Sequence, residues 1–188
     1  MWLYFCFSLS FRDVEVLIAE RGVIVTYESI RAWCEKFGWD YAKRIRARRC
    51  KLGDTWHLDE VYLKIGGRLQ YLWRAVDQDG SVLDILVRSR RSKKAAMRFF
   101  RKLVRGALYV PHILVTDKLA SYNAPCAHLV PNTMRRRYKA LNNRAENSSQ
   151  PTRERERRMR GFKSARHAQR FLLIFGMIFD LFSVERHL

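Results

Sequence analysis

Three acidic residues stand where a carboxylate could bind a divalent metal ion. Asp59 lies inside an apolar run typical of a strand, and Asp117 directly follows a short apolar strand at 112–116. Glu146 falls on the first turn of a charged helix that begins near Asn143. Carboxylate oxygens are the ligands that magnesium and manganese prefer. Because two such ions assist in-line attack on a phosphodiester, the three residues together predict metal-dependent phosphoryl transfer.

Each of the three acids also has an ordinary explanation. An aspartate at the end of a strand is a common cap, and Glu146 would interact favourably with the positive end of its own helix. A carboxylate inside a buried strand is costly unless it is paired or binds a metal, which makes Asp59 the more informative residue. Glu60 follows it on the opposite face of the strand, so only one of the two can join Asp117. The alternation of the strand leaves that choice open.

The elements that must position these acids follow an α/β order. Apolar alternation predicts strands at 55–65, 69–77 and 82–89, joined by Gly66-Gly67 and Asp79-Gly80 turns. An amphipathic helix is predicted at 93–108, followed by a strand at 112–116 and a helix from 118 to 129 that Pro125 breaks. The ambiguous segment 130–140 is predicted to contain a short strand. A charged helix is predicted from 143, where Pro151 introduces a kink or a new start, and a final helix is predicted at 165–182. Three antiparallel strands, a helix and a parallel strand are the order of a ribonuclease H-like core.

The N-terminal segment 1–38 predicts short helices. Ser10 and Thr26 are candidate N-caps, while Gly22 and Gly38 are candidate ends. Two short helices with a tight link favour a helix-turn-helix, whose second helix would enter a major groove, about as much as an ordinary helical hairpin. The sequence therefore predicts a DNA-binding segment at 1–38 with an incomplete first helix, a basic linker at 39–53 and a catalytic domain at 54–188.

The chain is strongly basic, with 37 Lys and Arg against 18 Asp and Glu and a formal net charge of +19. Such an excess favours a polyanionic partner, and DNA explains it better than a ribosome or an anionic membrane surface. Residues 135–170 carry 13 Lys and Arg against three Glu, and residues 88–105 carry nine basic residues and no acidic one. The candidate DNA-binding residues are Arg31, Lys36, Lys43, Arg44, Lys118, Arg144, Arg153, Arg157 and Lys163.

Cysteine spacing and hydropathy predict a reducing, cytoplasmic setting. The four cysteines form no CxxC pair, so a structural zinc site is not expected. The apolar run at 171–182 contains Asp180 and is too short to span a bilayer. We therefore expect no membrane partner.

Several strings resemble the transposases of the insertion sequence six family, in the same order and over nearly the whole chain. They are DTWHLDEV at 54–61, YLWRAVD at 71–77, VTDK at 115–118, LNNRAEN at 141–147, GFKS at 161–164 and AQRF at 168–171. The resemblance implies a ribonuclease H-like DDE domain behind a helix-turn-helix. It implies a triad of Asp59, Asp117 and Glu146, with Asp59 chosen over Glu60, that holds two Mg²⁺ or Mn²⁺ ions. It also implies cleavage at transposon ends, strand transfer into target DNA, and at least a homodimer on DNA.

The chain departs from the family pattern in two places. Family members usually begin well upstream, so this chain resembles one shortened at its N-terminus. They also commonly have a histidine three residues after the catalytic glutamate, where this chain has Ser149. Two alternatives remain beside an active transposase: a truncated or decayed copy that binds DNA without catalysis, and a general ribonuclease H-like nuclease. Metal-dependent joining of DNA strands would distinguish the first function from both.

Overall fold

A computed structural model of the chain describes residues 1–48, 53–107, 109–116, 122–136 and 143–182, without the side chains of 143–146. The chain divides into two compact units, one formed by 1–49 with 170–188 and the other by 50–169. The helices are α1 Trp2–Cys6, α2 Phe11–Ala19, α3 Tyr27–Ala47, α4 Lys93–Ala107, α5 Asn123–Leu129, α6 Asn143–Arg158 and α7 Ala165–Phe182. The strands are β1 Thr55–Ile65, β2 Arg68–Asp77, β3 Val82–Arg88, β4 Ile113–Thr116 and β5 Met134–Arg136.

The second unit is built on a five-stranded mixed sheet with the order β3-β2-β1-β4-β5. Strands β1, β2 and β3 pair antiparallel, whereas β4 runs parallel to β1 and β5 parallel to β4. This confirms the predicted strands, including the short one within 130–140, and the ribonuclease H-like α/β fold. Among the described residues, β4 pairs with residues 55–58 of β1.

Tight turns join the three antiparallel strands. Gly66 and Gly67 have φ angles of 56° and 76°, and Gly80 has a φ of 85°, which is the left-handed region that favours glycine. Asp77 closes the second turn, because its Oδ1 accepts hydrogen bonds from the backbone N–H groups of Asp79 at 3.0 Å and Ser81 at 2.9 Å. The turn residues therefore hold β2 and β3 in register.

Helix α4 covers one face of the sheet. Its apolar residues recur every three or four positions, so Ala96, Phe99 and Leu103 are fully buried on a single side. Phe99 packs against Trp73 of β2 with ring centroids 6.3 Å apart. Leu58 of β1 belongs to the same core. The even-numbered residues at the start of β1 thus face α4, and the odd-numbered residues face the other side of the sheet.

The first unit is helical, and one boundary prediction within it was wrong. The predicted caps are confirmed: Ser10 forms a capping box with Asp13, and Thr26 accepts a hydrogen bond from the Ser29 N–H. Gly38, however, does not end α3, which continues to Ala47 through most of the predicted linker. A Cβ atom at Gly38 would lie 3.3 Å from the Ile174 side chain, so this glycine permits close packing rather than helix termination.

Residues 170–188 group with the N-terminal helices in the first unit. The division into a DNA-binding segment at 1–38, a linker at 39–53 and a catalytic domain at 54–188 stays a prediction. The assignment of these helices to DNA binding stays a prediction. In the described parts of the chain, no helix combines the length and apolar character needed to cross a membrane.

Two prolines lie inside helices. Pro125 was expected to break a helix, but it is the third residue of α5, where a backbone N–H has no intrahelical partner to lose. Pro151 lies inside α6, which runs through it as one helix. The predicted start of the final helix at Ala165 and its end at Phe182 are confirmed.

Asp77→Asn should change stability in a pH-dependent way. Burial raises the pKa of the Asp77 carboxyl, although the Ser81 and Asp79 N–H groups oppose the shift. Because the pKa of Asp77 is raised in the folded state, the protonated carboxyl stabilises the fold fully at any pH below the pKa of the unfolded state, which is about 3.9. This stabilisation is lost as the pH rises through the pKa of the folded state. We therefore expect the asparagine variant, which keeps an acceptor oxygen, to gain stability relative to wild type as pH rises from roughly 3 to 7.

Urea denaturation at both pH values would measure this difference. Asp54→Asn is the control, because the Asp54 side chain is 59% exposed. A stability of the Asp77 variant, relative to wild type, that stays constant or falls between roughly pH 3 and pH 7 would contradict the explanation.

Candidate active site

Asp59 directly follows the described parallel pairing of β1 with β4. The last described pair of the two strands is Leu58 of β1 with Thr116 of β4. Asp59 therefore lies near the carboxyl end of the described part of β4. In open α/β sheets, ligands bind outside the carboxyl ends of parallel strands. Asp117 follows Thr116 in the sequence and lies outside the described residues.

The structure separates Asp59 from its neighbour Glu60. The Glu60 carboxylate accepts a hydrogen bond from Arg91 Nε at 2.5 Å, and its side chain is only 3% exposed. Asp59 points to the opposite face, where its Oδ2 accepts a hydrogen bond from Ser149 Oγ of α6 at 3.3 Å. Its Oδ1 accepts the backbone N–H of Glu60 at 2.8 Å. Glu60 is therefore engaged in an ion pair on the α4 side, while Asp59 faces α6.

Arg74 forms hydrogen bonds to α6 on the face of the sheet to which Asp59 points. It is the cross-strand partner of Asp59 and is 6% exposed, so its guanidinium lies in a buried position beside the aspartate. Its Nη1 donates to Thr152 Oγ1 at 2.9 Å, and its Nη2 donates to Ser148 Oγ at 2.7 Å. The Ser148 hydroxyl in turn donates to the carbonyl of Gly80 at 3.1 Å. One arginine thus holds two successive turns of α6.

The buried side of α6 is polar. Ala145 and Pro151 are the apolar residues among its 16, yet Ser149 is 0% and Thr152 is 1% exposed. Hydrogen bonds, rather than an apolar stripe, therefore dock this helix on the sheet. A neutral buried hydroxyl would be costly without such partners.

The far end of α6 contacts the end of β1. The Glu156 Oε1 atom accepts the backbone N–H of Lys64 at 3.3 Å. Burial raises the pKa of the Glu156 carboxyl, whereas the Lys64 N–H and the charge of Arg153 lower it. Phe162 then forms a parallel bridge with Ile65, the last residue of β1. These contacts hold the end of α6 and the segment after it against the last two residues of β1.

The remaining predicted site residues are only partly described. Glu146 lies in the first turn of α6, three positions before Ser149, and its side chain is outside the described atoms, as is that of Arg144. Lys118 lies outside the described residues, as Asp117 does. The predicted DNA-binding residues that are described are all exposed; they are Arg31, Lys36, Lys43, Arg44, Arg153, Arg157 and Lys163.

Sequence reasoning missed Arg74, Ser148 and Thr152. A signal was present, because Arg74 is a charged residue in the otherwise apolar run Leu72–Val76. A buried arginine requires partners, and hydroxyl residues spaced four apart on a polar helix could supply them. Nothing in the sequence alone pairs a residue at 74 with residues at 148 and 152.

The strand order of the second unit, with β4 parallel to a β1 that pairs antiparallel with β2, defines a ribonuclease H-like α/β protein. Residues 53–184 match the family model described as the DDE domain of IS240-type transposases. The chain therefore belongs to the DDE transposase family, in the insertion sequence six group that its motifs resemble.

The curated relatives include two staphylococcal transposases. The chain is 30% identical over 127 residues to the transposase for insertion sequence-like element IS431mec of Staphylococcus aureus, which covers 68% of this chain and 56% of that protein. It is 29% identical, with the same coverage, to the transposase for insertion sequence element IS257 in transposon Tn4003. The chain thus spans about half the length of the curated relatives it matches.

The solved structures to which the chain is similar include two retroviral integrase cores. The catalytic core domain of BIV integrase has a TM-score of 0.47 at 14% identity, covering 65% of this chain and 81% of that chain. The HTLV-2 integrase catalytic core domain in complex with magnesium, in its trimeric form, has a TM-score of 0.47 at 13% identity, covering 71% and 88%.

Replacement of Thr152 should loosen α6 from the sheet. Thr152→Val removes the acceptor of a buried, charged hydrogen bond, and such bonds contribute about 1.5–3 kcal/mol. Because α6 has little apolar surface to retain it, we expect its amides to exchange with solvent roughly tenfold faster or more. Hydrogen exchange measured on peptides that cover α6 would detect this.

Thr152→Ser is the matched control, since it keeps the hydroxyl and removes a methyl group instead. Equal exchange in the two variants would mean that the methyl group, rather than the hydrogen bond to Arg74, retains the helix.

Proposed function

We propose that this chain is the catalytic part of a DNA transposase in which Asp59, Asp117 and Glu146 form the acidic triad. The observation that carries the proposal is the position of Asp59, one residue after the Leu58–Thr116 pair and hydrogen-bonded to α6, in a chain of the DDE family. Continuing the parallel register from Leu58 and Thr116 would set Asp117 beside Asp59. Glu146 precedes Ser149 by about 4.5 Å along α6, so the glutamate would approach the same corner.

The residues at this corner suit a hard divalent cation. Carboxylate oxygens from two strands and one helix match the preference of Mg²⁺ or Mn²⁺, and two ions per site is the number that we propose. When bound, such ions would stabilise the charge on the attacking and leaving oxygens of a phosphodiester. Ser149 and the Glu60 N–H orient the Asp59 carboxylate, which is the usual role of groups behind a metal ligand. Ser149 can therefore support Asp59 although it replaces the histidine common in the family.

The proposed reaction has two balanced steps. At a transposon end, water attacks the phosphorus and the bond to the 3′ oxygen breaks, which leaves a 3′ hydroxyl and a 5′ phosphate. That 3′ hydroxyl then attacks a phosphodiester of the target in line, and the 3′ oxygen of the target leaves as a hydroxyl. Neither step requires a covalent bond to the protein, so positioning and electrostatics are what the chain supplies.

Exposed cations would hold the DNA. On α3 these are Arg31, Lys36, Lys43 and Arg44, and the second unit adds Arg153, Arg157 and Lys163. We propose the same role for Lys118 and Arg144. Helix α3 would act as the recognition helix of a helix-turn-helix, and two copies of the protein would pair two transposon ends on the nucleoid.

A strand-transfer assay with Mg²⁺ or Mn²⁺ tests this function. The DNA would be the flanks of the gene that encodes this chain, and the variants would be Asp59→Asn, Asp117→Asn and Glu146→Gln. Each substitution removes a charge and keeps the shape of the side chain. We expect each to lower cleavage and joining by roughly 10²-fold or more, comparable to the loss of other transition-state stabilising groups.

Two control variants match these changes without touching the proposed site. Glu154→Gln alters an exposed glutamate of the same helix, and Asp54→Asn alters an exposed aspartate just before β1. Both should retain wild-type activity. DNA that is bound but never cut by any of these proteins would instead favour a decayed copy, and cutting without joining would favour a general nuclease.

A further inference from the structure

Four basic residues form a continuous stripe along the outer side of α4. Lys94, Arg98, Arg101 and Arg105 are all exposed, and their spacing of four, three and four residues keeps them on one side of the helix. The opposite side of α4 is buried in the core, so the stripe cannot turn inward. It spans 12 residues, and its first and last residues are about 17 Å apart along the helix axis. We call these four residues the α4 basic stripe.

Protein carboxylates do not balance this charge. Among the residues that the structure describes, none of the four stripe cations forms an ion pair. Lys102 of the same helix behaves differently, since its Nζ lies 2.6 Å from the buried carboxylate of Asp84. Burial and the charge of Arg98 both lower the pKa of Arg88, which indicates that cations accumulate at this surface. Such self-repulsion opposes folding unless a polyanion neutralises it.

Duplex DNA fits the dimensions and chemistry of the stripe. A duplex carries about ten phosphate charges over a length of about 17 Å. The stripe itself contains only lysine and arginine, and no amide or aromatic side chain that would read or stack on a base. Phosphate contacts position a protein on DNA but carry no sequence information. The stripe is therefore suited to a duplex of any sequence.

The stripe lies on the other face of the sheet from the proposed catalytic helix. Helix α4 packs on the side of Leu58 and Trp73, whereas Asp59 faces α6. The two faces are nevertheless linked at one point. Arg91, three residues before the stripe begins, binds Glu60, which is the neighbour of Asp59 on β1. The residues just before the stripe thus contact β1 at the neighbour of Asp59, on the other face of the sheet.

We infer that the α4 basic stripe binds target DNA, as a surface separate from those that hold the transposon end. Strand transfer needs two duplexes at one site, the transposon end and the target. The proposed recognition helix α3 would read the transposon end, so a surface suited to phosphate contacts alone is assigned to the target. The assignment of this duplex as target DNA rests on the proposed function, while the binding of a duplex by the stripe does not.

The first test compares two quadruple alanine variants of the full chain. The first removes the stripe and the second removes four other exposed cations of the same unit, so both lose the same charge. The stripe variant is Lys94→Ala, Arg98→Ala, Arg101→Ala and Arg105→Ala, and the control is Lys64→Ala, Arg68→Ala, Arg136→Ala and Arg166→Ala.

Binding to a fluorescent duplex of random sequence would be measured by anisotropy over a range of NaCl concentrations. Each phosphate contact contributes about −0.9 to the slope of log K against log[salt]. We expect the stripe variant to lose roughly 3 to 4 units of slope and the control to lose less than about one. Equal slopes in the two variants would overturn the assignment of a DNA-binding surface to α4. Circular dichroism would verify that both variants are folded.

The second test separates target from transposon end. With ends supplied already cut to a 3′ hydroxyl, the stripe variant should join them to a target plasmid at least about tenfold less well than wild type, as lost phosphate contacts weaken target binding. Its cleavage of uncut ends should stay within about twofold of wild type. If cleavage fell as far as joining, the stripe would bind the ends and the target assignment would be wrong. If neither wild type nor any variant cleaved DNA, the proposed function would fail. The salt-dependence measurement would still show whether the α4 basic stripe binds duplex DNA.

Discussion

The hydrogen bonds of Arg74 are the constraint on which the proposed active site depends. They attach to the sheet a helix with almost no apolar residues, and hydrophobic burial therefore contributes little to holding it. Hydrogen bonds to a charged group contribute about 1.5–3 kcal/mol each, and a buried arginine that lost them would be costly. Because α6 carries Glu146 and also supports Asp59 through Ser149, the geometry of two proposed metal ligands follows from one guanidinium.

A polar contact suits this position better than an apolar one. The corner beyond β4 would have to bring carboxylates and cations to a phosphodiester, and these groups require polar neighbours and some access to water. The opposite face of the same sheet has no such requirement and is filled by Phe99, Leu103 and Trp73. The sheet thus stabilises the fold through one face and leaves the other for chemistry, with Asp59 and Glu60 directed to different sides of one strand.

The fold was predictable from sequence because its elements carry local signals. Strand alternation, glycine turns and the caps Ser10 and Thr26 predicted most boundaries. The errors arose where the sequence does not show what surrounds a residue. Gly38 was predicted to end a helix, but it provides space for Ile174. Pro125 was predicted to break a helix, but it lies in the first turn of α5. Arg74 could not be assigned because its partners are more than 70 residues away. The choice of Asp59 over Glu60 came from family resemblance, and the geometry at Asp59 now supplies a physical reason for it.

The excess of positive charge is divided between surfaces rather than spread evenly. The four cations of the α4 basic stripe have no described carboxylate partners, whereas Lys102 on the same helix is neutralised by Asp84. Lys102 has a buried partner and a fixed geometry, so its charge contributes to the fold. The cations of the stripe stay exposed on a rigid helix, and either salt or a bound polyanion relieves the self-repulsion that they cause. The distribution of charge on α4 is therefore the one that the proposed binding of DNA requires.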